Sequence, residues 1–130
     1  MERVTGIGGL FFPSPDPEAL ARWYAEHLGI DEVPTSYDGD AWTQQAGTTV
    51  FAPMEASEEF FSGPNGFILN LRVSDLEAMV AQLRAAGIKV VLDEEEYPNG
   101  VFASLVDPDG NPIQLWEPRG SDAERSDARR

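Results

Sequence analysis

This chain of 130 residues has abundant carboxylates but one histidine and no cysteine. Without cysteine, disulfides, thiolate metal sites and thiol nucleophiles are excluded. His27 lies inside a helix-patterned stretch near its C-terminal end, where partial positive charge is mildly favourable, so a half-buried helix residue is the simpler reading than a ligand or general base. A single helical histidine also leaves little scope for a Ser-His-Asp arrangement. Asp107, Asp109 and Asn111 resemble the opening of a calcium loop. Such a loop needs Gly at its sixth position and Glu at its twelfth, where this chain has Pro112 and Pro118. Gly6-Ile7-Gly8-Gly9 falls within an extended stretch and not at a strand-to-helix turn, so it is no phosphate loop. Asp93-Glu94-Glu95-Glu96 reads as a solvated acidic edge.

The elements that position these residues follow from periodicity and punctuation. Thr5 to Phe12 reads as a first strand, broken by Pro13-Ser14-Pro15. Asp16 is a good N-cap with Pro17 at the first helical position, and Glu18 to Leu28 carries an apolar stripe at helical spacing until Gly29. Ala41 to Gln45 and Thr48 to Ala52 read as strands after a turn at Asp38-Gly39-Asp40. A connector follows, with exposed Phe60 and Phe61. Phe67 to Val73 is a strand, Leu76 to Ala86 a helix closed by Gly87, and Lys89 to Leu92 a short strand. Pro98-Asn99-Gly100 turns into Val101 to Val106. Asp107-Pro108-Asp109-Gly110-Asn111 is a tight turn feeding Ile113 to Glu117, whose side chains alternate.

The order of elements repeats. Asp16-Pro17-Glu18-Ala19-Leu20 matches Asp75-Leu76-Glu77-Ala78-Met79, 59 residues later, and Gly29-Ile30 matches Gly87-Ile88. The helix Ala19 to Ile30, the segment Asn70 to Leu76 and the closing Asp107 to Asn111 turn with its strand together resemble the glyoxalase, bleomycin-resistance and dioxygenase proteins, the vicinal oxygen chelate superfamily. The likeness spans about residues 5 to 118. It implies an α+β fold of two tandem βαβββ modules forming a cup-shaped mixed sheet with helices on the convex face. The expected layout is one domain over 1–118, with module one about 5–53, a linker over 54–65 and module two about 66–118. Residues 119–130 are charged, lack large apolar side chains and are expected to be a disordered tail.

Strand alternation then assigns the cup. Leu69, Leu71, Val73, Ile113 and Leu115 should pack under the helices, leaving Ile68, Asn70, Arg72, Gln114 and Trp116 facing the hollow. Metal-using relatives carry His or Glu at positions corresponding to Gly9, Phe51, Ile68 and Gln114. Three of these have no donor, and Gln offers one neutral oxygen. The resemblance therefore brings the fold without a metal site, and no metal, cofactor or catalytic residue is assigned. What remains is a ligand-binding lining of Phe11, Trp42, Phe51, Asn70, Arg72, Gln114 and Trp116. Aromatic faces of this kind stack on planar ligands or hold cations, and Arg72 suits a carboxylate or phenolate.

Composition narrows the partners. The formal charge of −14 disfavours nucleic acid, and no run of about 18 apolar residues exists to span a membrane. Met1-Glu2-Arg3-Val4 does not begin a signal peptide, so a cytoplasmic location is expected. The expected function is metal-free binding and sequestration of a small aromatic or cationic organic molecule, in the manner of antibiotic-resistance proteins. The resemblance also implies a homodimer. A lyase, isomerase or dioxygenase of the same fold with an atypical metal site is the alternative.

Overall fold

Both helices begin with the same device. In α1 (Pro17–Leu28) the Asp16 carboxylate accepts from the Ala19 N–H at 3.2 Å, and in α2 (Leu76–Ala85) Asp75 accepts from the Ala78 N–H at 3.0 Å. Each satisfies an N–H that has no partner within its own helix. α1 ends at Gly29, which adopts φ 71° and donates back to the Ala25 carbonyl. The caps occupy equivalent places in the repeat. α2 has a second anchor, because Glu117 of the last strand accepts from the Leu76 N–H at 3.0 Å. Asp16→Ala is therefore expected to cost about 1 kcal/mol, read from the urea midpoint. Asp75→Ala should cost less, since Glu117 still holds the start of α2.

The computed structural model describes residues 1–57 and 59–123. Its sheet contains β1 (Leu69–Arg72), β2 (Val91–Leu92), β3 (Gly100–Val106) and β4 (Pro112–Pro118), ordered β1-β4-β3-β2. β1 runs parallel to β4 and the other pairs are antiparallel. Tyr97 and Gly100 exchange backbone hydrogen bonds around Pro98-Asn99 and so close the turn into β3. The core lies on one face. Ala103, Leu105, Ile113 and Leu115 are buried against Leu20, Tyr24, Leu76, Val80 and Leu83 of the helices, with Leu69 and Leu71 alongside. The strand parity read from the sequence holds, and the sheet is open, mixed and covered by helices on one side only. This is the α+β layout of the cup-shaped fold. Among the described residues no helix is long and apolar enough to cross a membrane.

The first half departs from expectation. Thr5 to Phe12, Ala41 to Gln45 and Thr48 to Ala52 form no strand, and among the described residues no backbone hydrogen bond joins them to the sheet. Alternation marks extended chain, but a strand exists only where a neighbour supplies the ladder. Among the described residues the edge of β1 away from β4 also lacks a partner strand. Phe11, Val50 and Phe51 are left exposed beside these unpaired segments.

Arg119, the first residue of the expected tail, is held against the sheet. The Arg119 N–H donates to the Asn99 carbonyl at 3.0 Å, and its guanidinium contacts Glu96 at 2.9 Å and Glu117 at 3.2 Å. These carboxylates favour the charged guanidinium and raise its pKa. Residues 124–130 of the expected tail lie outside the described residues.

Candidate functional site

The turn between β3 and β4 fixes the frame around the site. Asp107 is 3% exposed, and its carboxylate accepts four hydrogen bonds. One oxygen takes the N–H groups of Asp109 and Asn111, both at 2.9 Å; the other takes the Tyr24 hydroxyl at 2.7 Å and the Asn111 amide at 2.8 Å. Asn65 donates to Asn111 at 2.8 Å, and Ser14 donates to Asp109 at 2.6 Å. The turn and α1 thus meet at the buried Asp107 carboxylate, and the connector and the segment before α1 are tied to the same turn through Asn111 and Asp109. With both oxygens engaged in this way, the Asp107 to Asn111 loop is a structural turn. Burial, reinforced by the bond to Asp107, pushes the Tyr24 hydroxyl pKa well above the ordinary tyrosine range.

The sheet face away from the helices carries two rows. Asn70 pairs in register with Gln114, which lies opposite Ser104, while Arg72 pairs with Trp116, which lies opposite Phe102. Asn70 donates to the Gln114 side-chain oxygen at 2.7 Å. Phe102 and Trp116 lie almost parallel, with ring centroids 6.3 Å apart, and Tyr97 meets Phe102 edge-on at 5.7 Å. The Tyr97 hydroxyl pKa is pushed up to about 12 by hydrogen bonding with Glu95 and Asp93.

At the free edge of β1 a cleft of about 560 Å³ lies between the sheet, the flank of α2 and the segment Trp42 to Val50. Trp42, Asn70, Arg72 and Trp116 all line it, together with Thr48, Met79 and Gln82. Arg72 donates to the Gln45 carbonyl at 2.8 Å and ties that segment to the sheet.

The residues singled out in the sequence thus fall into three groups. Trp42, Asn70, Arg72 and Trp116 share the cleft. Gln114 lies on the same face but outside it, bonded to Asn70. Phe11 and Phe51 are 94% and 82% exposed and do not line it. Trp116 is 2% exposed, its ring stacked on Phe102 and its N–H donated to the Asn99 carbonyl at 2.9 Å. It is a wall, and Trp42, at 40% exposed, is the ring with a face to offer. Phe102 and Ser104 were legible from alternation in β3. Thr48, Met79 and Gln82 were not, because only the folded chain sets the first-half segment and the α2 flank against β1.

The donor set does not fit a divalent ion. Gln114 has one side-chain oxygen, and it already accepts from Asn70. Gly9, Phe51 and Ile68 supply no side-chain donor. His27 lies beside Trp23 with ring centroids 5.5 Å apart and does not line the cleft.

Residues 9–116 match the family described as the glyoxalase-like domain. The solved structure of TnmS3, an antibiotic binding protein from Streptomyces sp. CB03234, is similar at 25% identity with a TM-score of 0.60, covering 91% of this chain and 99% of that one. A glyoxalase/bleomycin resistance protein from Streptomyces sp. CB03234 is 28% identical with a TM-score of 0.50, covering 81% of this chain and 94% of that one. No curated protein matches. A family match over most of the chain, on a half-sheet and helix arrangement of this kind, means that the chain belongs to the glyoxalase-like domain family.

Proposed function

We propose that this protein binds and sequesters a small organic molecule without a metal, in the manner of the antibiotic-binding members of its family. The cleft beside β1 carries the reading. Its volume of about 560 Å³ is ordinary for a small-molecule site, and its lining mixes Trp42 and aliphatic side chains with amides, hydroxyls and the charged Arg72 and Asp75 in similar measure. The likeness to an antibiotic binding protein supports the same class of function.

A homodimer is part of the proposal. Among the described residues, the free edge of β1 and the unpaired segments around Phe11 and Phe51 leave ladder groups unpaired and large apolar side chains exposed. A second copy supplying a strand to that edge would satisfy both, and would enlarge the cleft with its own side chains.

Sedimentation equilibrium at micromolar concentration is expected to give twice the chain mass. Titration with planar aromatic compounds is expected to quench tryptophan fluorescence to a one-to-one endpoint per chain, with the compound recovered unchanged. Stoichiometric metal that chelators remove, accompanied by turnover of the compound, would replace this reading with an enzyme of the same fold.

A further inference from the structure

We infer that the cleft selects an aromatic anion over an aromatic cation, with Arg72 as the residue that reads the charge. This rests on the cleft being a small-molecule site. The overall charge of −14 argues for a cation, so the question is which field the ligand feels.

The local groups favour an anion. Arg72 and Asp75 are the charged side chains lining the cleft. The Asp75 carboxylate is engaged as the α2 cap through the Ala78 N–H. Arg72 has one hydrogen bond, to the neutral Gln45 carbonyl, and no ion pair among the described residues. A guanidinium has five N–H donors in a planar fork matched to a carboxylate, so most of its capacity is unspent. Thr48 also lines the cleft, and its hydroxyl is buried without a hydrogen-bond partner among the described residues.

The distant groups are screened. The acidic run Asp93 to Glu96 follows β2, three strand spacings from β1 in the sheet order. That is about 14 Å across the sheet, well beyond the Debye length of about 8 Å at physiological salt. A ligand against Arg72 therefore responds mainly to the charges that line the cleft, Arg72 and the capped Asp75, and the acidic run governs chiefly its approach.

The test is a matched series of 2-naphthoate, 2-naphthamide and 2-naphthylmethylammonium, titrated at about 0.15 M salt with tryptophan fluorescence and calorimetry. Naphthoate is expected to bind about tenfold or more tighter than the other two, the usual scale of a charge-assisted fork. In Arg72→Met that preference should vanish, naphthoate losing about tenfold more affinity than naphthamide. Arg72→Lys, which keeps charge and stem, should retain part of it. Naphthamide binding by each variant reports an intact cleft.

Tightest binding by the ammonium compound, or equal loss for all three ligands in Arg72→Met, would overturn the charge assignment. If the three bind equally to the unaltered protein, the small-molecule site stands and Arg72 does not read charge. If none binds, both the site and the assignment fall.

Discussion

Asp107→Ala is expected to destabilise the fold by about 3–5 kcal/mol, the scale for breaking a buried charged network. Four donors lose their acceptor at once: the Tyr24 hydroxyl, the Asn111 amide and the N–H groups of Asp109 and Asn111. Asn111 is fully buried and Tyr24 is 7% exposed, so water does not readily replace the lost bonds. Against a total stability of about 5–15 kcal/mol for a typical domain, much of the margin is lost. Asp107→Asn should cost nearly as much. Its amide retains one acceptor oxygen but turns an NH₂ group toward donors. Tyr24→Phe removes one bond to a charged acceptor and should cost about 1.5–3 kcal/mol. Urea denaturation of the three variants gives the ranking directly.

The same pair sets an alkaline signature. The Tyr24 pKa is higher in the folded chain than in the unfolded one, through burial first and the Asp107 bond second. Its contribution is fully present below the ordinary tyrosine pKa of about 10 and declines above it, as the unfolded chain ionises while folded Tyr24 stays neutral. Stability should therefore fall above about pH 10, with a shallower fall in Tyr24→Phe.

Gly100→Ala is the second large effect, expected at about 2–5 kcal/mol from backbone strain and overpacking combined. Gly100 has φ 144°, and an added Cβ would collide with the Glu117 carbonyl oxygen and approach the Trp116 ring nitrogen to 2.6 Å. Backbone lies on one side of that collision and a buried indole on the other, so neither gives way cheaply. Relief requires separating the β3–β4 pair where Gly100 faces Pro118, or tilting Trp116 off Phe102. The variant should show lower thermal stability and a red-shifted tryptophan emission. It should also bind naphthoate more weakly, because Trp116 is a wall of the cleft. By contrast, Gly29→Ala meets nothing within 4 Å and carries only the strain of φ 71°, about 1 kcal/mol.

The family assignment and the proposed function stand on different footings. The first follows from a match over residues 9–116 and from the two helices and the second-half strands lying where expected. The second follows from what the open sheet face carries. Where metal-using relatives coordinate an ion, this chain has Gly9, Phe51, Ile68 and an amide-bonded Gln114. The carboxylates that are well placed serve as helix caps or bind the β3–β4 turn.

Much was legible from local order. Asp16 and the Ser74-Asp75 pair marked helix starts because a short acceptor before an apolar stripe has one obvious use, and the structure chose Asp75. Alternation in β1 and β4 separated Leu69, Leu71, Ile113 and Leu115 from Asn70, Arg72, Gln114 and Trp116, because successive strand residues point to opposite faces whatever lies around them. Tertiary structure alone decided the rest. The first-half segments alternate like strands yet remain unpaired, since a ladder depends on a neighbour that periodicity cannot name. Trp116 became a covered wall and Trp42 the available ring, and Thr48 came to share a cleft with Arg72. Such placements depend on how distant pieces of chain pack, and that balance of contacts is not contained in the spacing of any one segment.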